Sequence, residues 1–101
     1  MRQDERYHHI LEAALRLAQS KGSYRALTRG NVAEAAGVSS GLINHYYLLI
    51  ELLRLEVLTL GIQRGDLQLL AEGLVAGEPV ARRAPLEMRA RAAVALIGGE
   101  V

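Results

Sequence analysis

The sequence predicts an all-α protein, and three observations carry that expectation. Half of the 101 residues are hydrophobic yet only 4% are aromatic, with Ala and Leu dominant, a balance that favours helices over strands. Apolar residues recur at three- and four-residue spacing from near the N-terminus onward, and no strand-like alternation of useful length appears. Glycines and prolines fall between the periodic segments, where helices stop. A chain of this length suffices for one modest core.

The first helix is expected from about residue 4 to residue 21, with Tyr7, Ile10, Leu11, Ala14, Leu17 and Ala18 forming its apolar stripe. Gly22 is its C-terminal cap, and SKGSYRAL is the loop that follows. Thr28 is placed to cap a second, short helix, RGNVAEAAG, with Val32, Ala33 and Ala36 facing inward and Gly37 ending it. Gly30 weakens that helix little, because it sits in the first turn. The chain starts again at VSSGLINHY, with Ser39 as N-cap and Leu42, Ile43 and Tyr46 as buried positions. Two short helices joined by a tight, glycine-containing turn make a helix-turn-helix. A long helix is then expected from about residue 49 to residue 74, weakened in its middle by Gly61 and Gly65. GEPVARRAP reads as a linker, and LEMRARAAVALI as a last helix stopped by Gly98 and Gly99. The expected organisation is a helix-turn-helix domain over residues 1–47 and a helical region over residues 48–101, continuous with it.

Charge adds little by itself. The net charge is +1, so no overall positive field announces a nucleic-acid partner. Residues 1–47 carry six Lys/Arg against four Asp/Glu, or +2, and residues 48–101 carry six against seven, or −1. That asymmetry has the sign DNA requires. The absence of cysteine excludes disulfides, thiolate metal sites and a cysteine nucleophile. MRQDERYHH is too polar for a secretory signal, and the apolar stretches fall short of a membrane span, so a cytoplasmic location and no membrane partner are expected. Adjacent His8 and His9 point about a hundred degrees apart on a helix, with no carboxylates at ligand spacing, so no metal site is expected. No Gly-rich phosphate loop or nucleophile–base pair is present, which argues against an enzyme and against a cofactor.

The segment ILEAALRLAQSKGSYRALTRGNVAEAAGVSSGLINHYY resembles the N-terminal DNA-binding domain of TetR-type transcriptional regulators. The features fall in order: an amphipathic helix ending at Gly22, Thr28 opening the next, VAEAAGVS across the turn, and Gly41-Leu42 leading to His45-Tyr46. The resemblance covers roughly residues 6–54 and implies a three-helix bundle binding double-stranded DNA. It implies that the helix starting near Ser39 enters the major groove by its N-terminal end. Ser39 and Ser40 would then reach phosphates or base edges, Gly41 would allow close approach of the backbone, and Asn44 would suit an adenine edge or a phosphate. His45 and Tyr46 match an aromatic pair whose polar tips contact the DNA backbone, and Thr28 and Arg29 match phosphate contacts at a helix start. One departure is that Leu49 stands where family members carry a lysine, in a turn, Tyr47-Leu48-Leu49-Ile50, that is normally small or polar. The other is length: the residues after the helix-turn-helix are too few to enclose a ligand pocket, so no small-molecule inducer site is expected.

The run YYLLIELLRLEVLTL asks for its own account. Plotted at about a hundred degrees per residue, Leu49, Leu52, Leu53, Leu60 and Leu67 cover one broad side of a helix, with Ile50 and Val57 extending it. Leu48, Leu55, Leu58, Ile62 and Leu69 reach the opposite side. A helix apolar almost all round must be buried on more than one face. A homodimer built on residues 48–75 and 86–97 accounts for this, with Leu49, Leu52, Leu53, Val57, Leu60 and Leu67 in the interface. Such a dimer would present two recognition helices to a palindromic operator, as a repressor does. The alternative is a helical oligomerisation or protein-interaction module, arisen by drift or engineering, that keeps the fold without useful DNA binding.

Overall fold

A computed structural model describes residues 2–98. The regular structure within them is helical: α1 (Gln3–Lys21), α2 (Arg29–Ala36), α3 (Ser40–Tyr46), α4 (Ile50–Gln63), α5 (Leu67–Ala76), α6 (Pro79–Arg82) and α7 (Leu86–Gly98). The chain divides into two compact units that part between Val57 and Leu58, inside α4. None of the described helices is long and apolar enough to cross a membrane.

In the first unit, Asp4 and Glu5 occupy the first turn of α1 and Lys21 the last, each matching the sign of the helix dipole at its end. Ile10, Ala14 and Ala18 of the expected stripe are buried, together with Ala13 and Leu15. Gly22 ends α1 in the left-handed conformation, and α2 opens on a reciprocal capping box. The Thr28 hydroxyl accepts from the Asn31 N–H at 3.1 Å, while Asn31 Oδ1 accepts from the Thr28 N–H at 2.8 Å. Asn31 Nδ2 also donates to the Ala26 carbonyl at 3.0 Å, which fixes the loop to the helix it precedes. Ser39 caps α3 by accepting from the Leu42 N–H at 3.1 Å. His9 Nε2 donates to the Ala36 carbonyl at 2.6 Å and ties α1 to the end of α2.

Of the two tyrosines at the end of α3, Tyr47 rather than Tyr46 is buried. Helix α3 ends at Tyr46, and the backbone turns extended at Tyr47 (φ −131°, ψ 93°). Tyr47 is left 3% exposed, while Tyr46 and Leu42 are half-buried.

The continuous helix expected over residues 49–74 is interrupted after Gln63. Gly65 adopts φ +78°, where a Cβ is strained, and the Asp66 N–H closes the turn onto the Gly61 carbonyl at 2.9 Å. Asp66 Oδ1 then accepts from the Leu69 N–H at 3.0 Å and starts α5. A left-handed glycine followed at once by a capping aspartate outweighs the apolar periodicity that runs through both. The expected linker is also partly helical: Pro79 opens α6, and Ala81 is buried in a core with Leu70, Ala71, Ala84 and Ala92. Gly73 makes room for it, since a Cβ there would lie 3.0 Å from both Ala81 Cβ and Leu58 Cδ2. The last helix forms, with Gly98, one of its two expected stops, as its final residue; Gly99, the other, lies outside the described residues.

Candidate nucleic-acid interface

Helix α3 has one inward anchor and an exposed polar surface. Ile43 is fully buried, whereas Ser39, Ser40, Gly41, Asn44 and His45 are all exposed. Ser40 and Asn44, like Gly41 and His45, are four residues apart and so share a face. A methyl group added at Gly41 would meet only Ser39 Oγ, at an ordinary 3.8 Å. Nothing among the described residues therefore demands glycine at that position.

The residues expected at the start of α2 are placed less uniformly. Thr28 is exposed, with its hydroxyl engaged in the capping box. Arg29 is half-buried and directed back onto the chain: Nη2 donates to the Leu48 carbonyl at 2.6 Å. Its charge thus anchors the turn after α3 to the start of α2. The Arg54 guanidinium makes a similar tie from α4, Nε donating to the Leu27 carbonyl at 2.9 Å.

Tyr46 rests on an aromatic cluster. Its ring meets His45 edge-on at 5.5 Å and lies tilted against Tyr7 at 6.2 Å, and its hydroxyl donates to the Gln3 carbonyl at 3.4 Å. The Tyr7 ring also stacks on Tyr47, 6.2 Å between centroids at 24°. The Tyr7 hydroxyl donates to Glu56 Oε1. Burial, followed by the neighbouring Glu56 carboxylate, pushes the Tyr47 hydroxyl far above its ordinary range. The same two causes, in the same order, raise Tyr7. Both therefore stay protonated phenols.

Sequence reasoning named neither Glu56 nor Tyr47 as a site residue and gave Tyr7 only a place in the α1 stripe. One signal was available, a carboxylate set between Leu55 and Val57 in a largely apolar run. It pointed to a partner without saying which.

The six residues expected to join two copies separate on the same inspection. Leu49 and Leu52 are 57% and 50% exposed, and Leu48 beside them 75%. Leu53 and Val57 have no exposed surface, because they face the interior of the chain and complete its own core. Leu60 and Leu67 are half-buried, Leu67 against the core of the second unit.

Residues 10–48 match the family model described as bacterial regulatory proteins, tetR family. The matched span begins at Ile10 in α1, takes in α2 and α3, and ends at Leu48 in the turn that follows. No curated protein and no solved structure gives a significant match.

Proposed function

We propose that the chain, whose residues 10–48 match the tetR-family model, is a DNA-binding regulator that represses transcription by occupying a palindromic operator as a homodimer. The observation that carries this reading is the exposed row on α3, Ser39, Ser40, Gly41, Asn44 and His45, set opposite the buried Ile43. In this reading α3 enters the major groove by its N-terminal end, Asn44 reads a base edge or holds a phosphate, and the serines and His45 fix the register on the backbone. Thr28 adds a contact at the start of α2. With only +2 on residues 1–47, one copy makes few phosphate contacts and binds weakly, so affinity comes from pairing two domains on one duplex. The exposed Leu48, Leu49 and Leu52 support self-association, as do Leu86, Val94 and Ile97 on α7.

The test is an electrophoretic shift against a random palindromic library at two salt concentrations. Enrichment of a two-fold symmetric sequence, lost in an Asn44→Ala and Ser40→Ala double variant, is the expected result. Enrichment of nothing would refute the reading. That outcome would favour a second one, a helical interaction module, to which Leu49 in place of the family's lysine lends support. Sedimentation at micromolar concentration checks the dimer: the expected mass is twice 11.0 kDa, and Leu49→Glu with Leu52→Glu should halve it.

A further inference from the structure

Glu56 is an unusual residue for its place. Leu53 and Val57, three residues before it and one after, are fully buried, and one of its carboxylate oxygens, Oε2, is buried with no hydrogen-bond partner among the described residues. A carboxylate withdrawn from water with an unused acceptor costs free energy that a leucine at the same point would not. Stability alone therefore does not explain the residue. What Glu56 does hold is the hydroxyl of Tyr7, and Tyr7 is the ring on which both tyrosines at the end of α3 rest. Tyr46 adds a second tie to α1 through the Gln3 carbonyl. Helix α3 is seven residues long and carries one fully buried side chain, Ile43, at its middle. A short helix pinned at one central point takes its tilt from how its end is held.

We propose that Glu56 is a positioning residue for DNA reading: acting through Tyr7 and the tyrosine stack, it sets the angle at which α3 presents Ser40, Gly41, Asn44 and His45. It does so from α4, without touching DNA. The proposal rests on the DNA-binding function proposed above. Without the Tyr7–Glu56 bond, α3 populates several tilts, and apparent affinity falls by the fraction that remains competent. Because no phosphate contact is lost, the dependence of affinity on salt keeps its slope.

The experiment uses the full chain and a DNA site enriched by the unmodified protein from a random palindromic library. Affinity is measured at several salt concentrations for the unmodified chain, for Glu56→Gln, and for the double variant Tyr7→Phe with Glu56→Leu. All are held well below their melting temperatures, which circular dichroism fixes. The double variant removes both partners of the bond, so its melting temperature should stay close to that of the unmodified chain. It should nevertheless bind about tenfold more weakly with an unchanged salt slope, the loss expected for one bond to a charged group. Glu56→Gln keeps an acceptor for Tyr7 and should return affinity to within about threefold. If the unmodified chain enriches a site and the double variant binds it equally well, the positioning role fails while DNA binding stands. A reduced salt slope in the double variant would also overturn it, by showing a lost phosphate contact. A chain that enriches no sequence overturns this proposal and the DNA-binding reading together.

Discussion

Tyr7→Phe and Tyr47→Phe delete the same atom from two stacked rings, and the structure assigns them opposite effects on stability. The Tyr47 hydroxyl is buried beside Glu56 and Tyr7 without a well-aligned hydrogen bond to either, and the residue is 3% exposed. Phenylalanine keeps the ring and leaves no sizeable cavity, so removing an unpaired buried hydroxyl should stabilise the fold by about 1 kcal/mol. The Tyr7 hydroxyl donates to the Glu56 carboxylate, and deleting it leaves a second unpaired oxygen beside Oε2. A bond to a charged group contributes about 1.5–3 kcal/mol, and the lower end applies because both residues are only half-buried. The two variants should thus lie roughly 2.5 kcal/mol apart. Urea unfolding at neutral pH, followed by far-ultraviolet circular dichroism, turns that gap into midpoints separated by roughly 1.5 M at unchanged slope. Equal destabilisation of both variants would refute the reasoning, since it would mean that the Tyr47 hydroxyl already donates a bond of equal strength.

Three further outcomes are expected. Burial and Glu56 raise both phenols above their ordinary value of 10.0, so the folded chain holds protons that the unfolded chain releases. Their contribution to stability is complete below that value and is lost as the pH rises above it; the Tyr7→Phe and Tyr47→Phe double variant should show a shallower alkaline decline in thermal melts. Leu49→Lys, which puts a cation where the family carries one, should tighten DNA binding and steepen its salt dependence by about one contact in a filter-binding titration. Gly65→Ala forces a side chain into φ +78° and should cost about 1–2 kcal/mol in thermal unfolding, whereas an uninterrupted helix through residue 65 would gain from the change.

Much of the first unit was legible because its signals are local. Gly22, Thr28, Gly37 and Ser39 cap or end their helices through bonds to residues three or four positions away, and such bonds leave their mark in the residue types. The second unit was read less well for a physical reason. Leucine periodicity runs through α4 and α5 alike, and only the pair Gly65-Asp66 marks the break. Helix α6 hid in a stretch read by its prolines and glycines, although Pro79 is suited to a first helical turn and Ala81 to a tight core. The exposed row of α3 could be read from caps and spacing. Its support could not, because Tyr7, Tyr47 and Glu56 meet across separations of up to 49 residues, and a short-range pattern does not record such meetings. Leu53 and Val57, expected at the interface, are covered by their own chain. An apolar residue looks the same in the sequence whether its own chain or another covers it.

The tyrosine cluster also decides what light can report about this molecule. The chain has no tryptophan and no phenylalanine, and its four tyrosines, Tyr7, Tyr24, Tyr46 and Tyr47, all precede Val57. Its intrinsic emission therefore arises entirely in the first unit, with no indole to drain it by energy transfer. Helical ellipticity arises in both units. Melting followed at both wavelengths separates the two without any label. Coincident curves would mean that the units unfold as one, and displaced curves would give each its own stability.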